Sequence, residues 1–476
     1  MSATHAPDTT TASATQEPPQ LNRAISRNLL LLFVIGDVVG GGIYTLVGDI
    51  GAEVGGVVWL PMLMALALAL FTAASYAELV TKYPQAAGAA LYVNKAFRRP
   101  FMTFLVAFAV MCSGIASAAT LARGVSGKYL PQLWTETPIV PIALVFLILV
   151  AALNFRGISE SVKVNVVLTL VELGGLVLVM VVGVAALADG QGDLGRAFTF
   201  DGHSGGLVGA ALAGTALAFY ALIGFEDSVN VAEETKDPGR DYPRALFGGI
   251  LVAGVIYLVI GVLAPAVLDR ETLLDVDNGT PLISLATTGP LGVDAKLFAV
   301  IGILALANGA LINMIMASRL VYGMSVQGIV PRLFSAVHRT RRTPWAAILF
   351  TSALAMALAS TGEVSDLAST TVVLLLSVFA FVNVAVLVLR RDRVDHPHFQ
   401  PGTAIPVIGA AASIGLLLYR VVDAPEELWR AAALLALGVV LWFVNRGVLG
   451  RDAPMDTAQL EAIETADPGE PPRRDA

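Results

Sequence analysis

The chain has 476 residues, 56% of them hydrophobic and only 14% charged, with a mean hydropathy of +0.74. Soluble domains carry roughly 45–50% apolar and about 25% charged residues, so the charged fraction is too small to coat a soluble particle, and a soluble enzyme or DNA-binding protein is disfavoured. The net charge of −7 is assigned to acidic outer loops and an acidic tail, with no nucleic-acid partner implied. The single cysteine, Cys112, permits no intramolecular disulfide and no cysteine metal cluster.

In chain order, residues 1–22 are rich in Ala, Thr, Pro and Gln and are predicted to form a disordered tail rather than a cleavable leader. Apolar runs then recur, each near the roughly 20 residues that a spanning helix needs. They lie at about 28–53, 57–81, 101–126, 138–154, 163–188, 206–233, 244–268, 296–324, 344–361, 366–389, 404–420 and 428–445. The fourth, ninth and eleventh are somewhat short. Residues 23–449 thus read as an all-α integral membrane domain of about twelve transmembrane helices, and 450–476 as a second disordered tail. With the N-terminus placed inside, 23 of the 30 Lys and Arg residues fall in inner segments. The bias toward positive inner loops predicts both termini to be cytoplasmic and the protein to be a multi-pass protein of the cell membrane.

Two spans carry signs of interruption. Span 1 reads GDVVGGGIYTLVG, with Gly40, Gly41 and Gly42 at its middle; span 6 reads FYALIGFEDSVNVAEE, with Gly224 followed by Glu226 and Asp227. Glycine costs about 1 kcal/mol in a helix interior, and unwound backbone at membrane depth is tolerated only where it lines a cavity or is buried in protein. Breaks at matching positions in two blocks of five spans point to inverted repeats (about 28–188 and 206–389) with a transport site between them.

These residues resemble the amino acid–polyamine–organocation (APC) family of secondary transporters over about residues 28–390. The marks are GDVVGGGIY, YAEL at Tyr76–Leu79 with Pro84 and Gly88, the run FYALIGFEDSVNVAEETKDPGRDYPRAL, and SRLVYGMSVQGIVP. The resemblance implies a five-plus-five inverted repeat of the leucine-transporter type, with broken helices 1 and 6 and the helices at 404–445 appended. It also implies that the substrate carboxylate rests on Gly40, Gly41 and Gly42, that carbonyls of Val38, Tyr220 and Ile223 meet the ammonium, and that Tyr220 gates the site.

Elementary chemistry is consistent with that assignment. The N-terminus of a half-helix beginning near Gly41 and Gly42 suits a carboxylate, and carbonyls freed around Ile223 and Gly224 can accept from an ammonium. Helix-packing glycines are the plain alternative. Ionisable groups at membrane depth cost about 2.5–3.5 kcal/mol on insertion scales and mark functional candidates. Four acids qualify: Asp37, Glu172, Glu226 and Asp227, with no mid-span Lys or Arg to neutralise them. Protonation or a bound cation must do so. Many relatives carry a lysine seven residues after an asparagine on span 5; here Asn165 is followed by Glu172, which reverses the charge. Glu172 can carry a proton, ligand Na⁺ or form a structural hydrogen bond. The resemblance places Glu226 at an acidic position that couples transport to pH in some relatives. Asp227 beside it could face a cation, and either acid, like Asp37, could simply bond the break. Glu78 and Glu233, nearer the inner ends, are expected to be solvated or to pin loops.

Asn308 and Asn313 on span 8 could line the pathway or join helices. His396 and His398 read as a solvated turn, not a metal site, and Asn278–Thr280 forms a glycosylation sequon of weight only in a eukaryotic host. The acidic segment from Asp269 to Asp294 is expected to lid the outer vestibule, as in relatives. The expected function is secondary active transport of an amino acid by alternating access, with proton symport favoured. Exchange and polyamine transport are the alternatives, and a non-transporting sensor stands behind them. No enzyme chemistry and no cofactor are expected beyond H⁺ or Na⁺ as coupling ion.

Overall fold

A computed structural model of the chain describes residues 26–83, 88–134, 138–156, 161–200, 206–231, 235–275, 280–326 and 328–449. Both predicted tails, Pro84, Glu233 and Asn278 lie outside the described residues, as does the side chain of Asn165. The described chain is helical. In order come α1 (Arg27–Val38), α2 (Gly41–Val54), α3 (Trp59–Lys82), α4 (Gly88–Phe97), α5 (Pro100–Gly124), α6 (Ile139–Arg156), α7 (Ser161–Ala188) and α8 (Gly206–Leu222). After them come α9 (Pro238–Val267), α10 (Arg270–Leu274), α11 (Pro281–Thr287), α12 (Ala295–Val326), α13 (Trp345–Ala359), α14 (Val364–Leu389), α15 (Ala404–Asp423) and α16 (Leu428–Leu449).

Among the described residues, ten helical segments are long and apolar enough to cross a bilayer. The pair α1 and α2, bent by 41° at its break, makes an eleventh span, and the fifteen-residue apolar α13 occupies the remaining expected position. The chain is therefore a multi-pass, all-α membrane protein. Flank residues behave as local chemistry dictates. Proline opens α5, α9 and α11, where its missing N–H costs nothing. A reciprocal capping box of Glu363 and Asp366 opens α14.

The structure departs from the sequence expectations in three places. Helix α9 starts at Pro238, six residues before the expected 244: Pro238 takes the first position, where its missing N–H costs nothing, and the helix tolerates Pro243 inside it at the loss of one hydrogen bond. Helix α4 follows span 2 as a ten-residue element too short to register as a span. The expected lid carries two short helices, α10 and α11, which pack on α2. Asp269 caps α10 by accepting the Thr272 N–H at 2.8 Å, which holds its carboxyl below the usual range.

Contacts between helix ends sort them into two faces. On one, predicted to be cytoplasmic, Lys82 donates to the Leu389 carbonyl at 2.6 Å and Thr343 to the Phe155 carbonyl at 3.1 Å. On the other, Trp59 donates to the Ala197 carbonyl at 3.0 Å and Asp193 N–H to that of Ala266 at 2.8 Å. A polar seam ties the second half of α3 to the closing turns of α14. Ser75 Oγ donates to Asn383 Oδ1 at 2.6 Å, and the Asn383 amide donates to Thr72 at 3.3 Å. At the end predicted to be cytoplasmic Arg390 makes a two-pronged pair with Glu78 at 2.8 and 2.6 Å. Glu78, buried, is thus a pin rather than a solvated group.

Candidate functional site

The break in span 1 falls at Val39 and Gly40, so Gly41 and Gly42 already belong to the first turn of α2. Gly40 is the N-cap residue, and no side chain caps that end. The first N–H groups of a helix have no intrahelical acceptor, so α2 presents uncapped amides where Gly40, Gly41 and Gly42 line a cavity of about 110 Å³. The break in span 6 lies between Leu222 and Phe225, where a 3₁₀ turn over Phe225–Val231 takes over from α8.

The two breaks touch. Gly224 has φ +125°, and a Cβ there would lie 2.5 Å from the Asp37 carbonyl oxygen. That conformation and that approach both demand glycine. A Cβ on Gly42 would lie 2.6 Å from Ala221 Cα, so α2 and α8 meet backbone to backbone. Inside the span-6 break the chain satisfies itself. Gly224 N–H donates to Glu226 Oε2 at 2.9 Å, Asp227 N–H to the Gly224 carbonyl at 2.9 Å, and Ser228 Oγ to the Phe225 carbonyl at 2.6 Å.

All four expected acids line this cavity, and no Lys, Arg or His does so among the described residues. Asp37 Oδ2 and Glu172 Oε1 are buried without a hydrogen-bond partner. Buried acceptors that lack a partner are uncommon and invite a proton or a ligand. Glu172 is 1% exposed and hydrogen-bonds the Asn308 side chain, while its backbone carbonyl accepts the Tyr44 hydroxyl at 2.6 Å. Asn308 and Asn313 both line the cavity and also bond across it. Asn313 donates to Ser117 Oγ at 3.2 Å, and Ser117 Oγ lies 3.1 Å from the Tyr220 hydroxyl.

The expected residues do not all converge. Gly40, Gly41, Gly42, Tyr220, Ile223 and Gly224 line the cavity together with the acids, but Val38 is fully buried and outside the lining. Its carbonyl accepts the Tyr257 hydroxyl at 2.9 Å, and that of Tyr220 accepts the Ile223 N–H at 3.4 Å. Ser117 on α5 and Tyr76 on α3 belong to the lining, although the sequence places neither in the site; Tyr76 stands out there only as part of the YAEL mark. A small hydroxyl or a buried tyrosine in an apolar run carries no signal of its facing. His396 lies exposed in the turn after α14, and its ring nitrogen and that of His398 face backbone carbonyls, as expected of a turn.

The sequence model described as "Amino acid permease" matches residues 28–444. The chain is 26% identical over 456 residues to a branched-chain amino acid permease of Bacillus subtilis (strain 168), covering 91% of this chain and 95% of that one. It is 25% identical over 456 residues to a methylthioribose transporter of the same organism, with the same two coverages. It is 28% identical over 390 residues to the vacuolar cationic amino acid transporter 4 of Arabidopsis thaliana, covering 78% of this chain and 64% of that one.

Proposed function

The chain belongs to the amino acid permease family, and from that premise we propose that it moves an amino acid across the cell membrane by alternating access, coupled to an inward flow of protons. One observation carries the reading: the uncapped amides of α2 and a group of four carboxyls line the same cavity. A zwitterion matches that polarity, its carboxylate on the helix dipole and its ammonium toward the acids. The contact of the two breaks supports reading the chain as two inverted blocks of five spans, with the site at their junction.

The relatives' substrates differ among themselves, and the surplus of carboxyls favours a neutral or cationic amino acid over an acidic one. A polyamine would satisfy the acids but leave the α2 amides without an anion. Glu172 is the proposed proton carrier, since its Oε1 is buried, faces the cavity and has no partner. The orientation proposed has both termini cytoplasmic.

The test is uptake of labelled amino acids into proteoliposomes with and without an inward proton gradient. Accumulation that needs the gradient is expected; uptake only into liposomes preloaded with amino acid would replace symport by exchange. Glu172→Gln is expected to abolish gradient-driven accumulation while exchange persists in part. An unchanged pH dependence in that variant would remove Glu172 from the coupling step.

A further inference from the structure

The cavity is closed at one end by packed side chains and by a polar clamp. Its lining stops at Gly42 on α2 and Leu121 on α5 and begins at Asn308 on α12, then runs through Leu320 toward the face that carries the end of α3. At that limit, toward the opposite face, Leu121 and Leu306 pack over Gly41. Next comes a single π-helical turn, Val125–Tyr129, that continues α5. Such turns redirect side chains out of α-helical register. This one aims two consecutive side chains at α2. Lys128 Nζ donates to the Thr45 carbonyl and to Asp49 Oδ2, both at 2.6 Å, and the Tyr129 hydroxyl donates to the Tyr44 carbonyl at 2.7 Å. The Tyr129 hydroxyl also lies 3.4 Å from Thr280 Oγ1, the N-cap of the lid helix α11.

Lys128 is 6% exposed and its ion pair with Asp49 is nearly shielded from water, so neither charge is screened as a surface pair would be. A buried ammonium that binds a carbonyl as well as a carboxylate is an expensive way merely to fill space, since apolar residues of similar volume often pack as well. Its cost is explained if the contact must be breakable. Water entering between α2 and the π turn can solvate both charges, whereas an apolar plug has no such release. The clamp also reaches the site. It grips Tyr44 and Thr45 one turn from the Gly41 and Gly42 amides, and the Tyr44 hydroxyl holds the backbone of Glu172.

We propose that Lys128 and Tyr129 are positioning residues that act through α2: they hold the half-helix over the cavity and keep the site shut toward the face opposite its opening, and the Lys128–Asp49 pair parts when the site opens to that face. The proposal deepens the alternating-access reading, but its test needs no substrate, so the two can fail separately.

The experiment places a reporter cysteine at Ile312, which lines the cavity, in full-length protein carrying Cys112→Ser. Labelling by a membrane-impermeant maleimide is followed in vesicles of both orientations. With the clamp intact, the reporter is expected to react from the face carrying the end of α3. Lys128→Ala is expected to raise labelling from the opposite face by about tenfold or more, the shift that follows from removing charge-assisted bonds present in only one of two states. Tyr129→Phe should give a smaller rise of the same sidedness, and Lys128→Arg, which keeps the charge, should stay closed. If Lys128→Ala does not accumulate, Asp49→Asn loosens the same pair and must shift labelling the same way. A change that appears equally from both faces would mark a structural role and overturn the proposal. So would labelling from the opposite face that does not move in either variant.

Discussion

The two interrupted spans solve one problem in opposite ways. Where span 1 breaks, α2 restarts with a glycine cap and leaves its amides to the cavity. Where span 6 breaks, the backbone is bonded by its own neighbours: Gly224 N–H by the Glu226 carboxylate, and the Gly224 and Phe225 carbonyls by Asp227 and Ser228. Each break exposes polar backbone at membrane depth, where an unmet group costs several kcal/mol. One is completed from within, the other from the cavity. The asymmetry teaches that the two breaks are not interchangeable halves of a site. On the proposed reading the first receives the substrate, and the second supplies charge and shape.

Breaking the second element should have the largest effect. Gly224→Ala forces a side chain into φ +125° and against the Asp37 carbonyl. Strain of this kind costs about 1–3 kcal/mol before any clash is counted. Uptake is expected to vanish and the thermal midpoint in detergent to fall; retained uptake would mean the two breaks separate easily. Glu226→Gln sharpens the comparison by removing charge while keeping an oxygen for the Gly224 N–H. The expected result is an unaltered thermal midpoint with uptake reduced by about tenfold, the scale of losing one charged hydrogen-bonding group. Full uptake would leave Glu226 as a cap alone. The mildest change is Gly40→Ala, whose added methyl would meet only the Asp37 carbonyl, at 3.6 Å. The fold should be untouched and KM should rise about two- to tenfold as the methyl crowds the amide cradle. A changed maximal rate with constant KM would move the substrate away from α2.

Much of this site was legible in the sequence because its chemistry is local. Three consecutive glycines and a Gly-Phe-Glu-Asp run announce broken helices, and acids in apolar spans stand out by cost alone. What could not be read was facing. Asp49 and Lys128 lie 79 positions apart, and no local pattern pairs them; a π turn places Lys128 against α2. Ser117 and Tyr76 carry no mark that separates a lining side chain from a packed one. The expected ammonium contact at Val38 depended on a carbonyl, and no sequence pattern reveals that the Tyr257 hydroxyl already donates to it. Span boundaries were read well where the flanks are polar, and poorly at Pro238, where a helix begins inside a charged segment.

The seam between α3 and α14 has a mechanical consequence. These helices are joined at mid-depth through Ser75, Thr72 and Asn383 and again at one end through Glu78 and Arg390. Two fastenings at different heights resist sliding and scissoring of the pair. Probes attached to α3 and α14 are therefore expected to keep a constant separation through the proposed transport cycle. That makes α3 and α14 a natural fixed frame, against which the travel of every other helix can be measured.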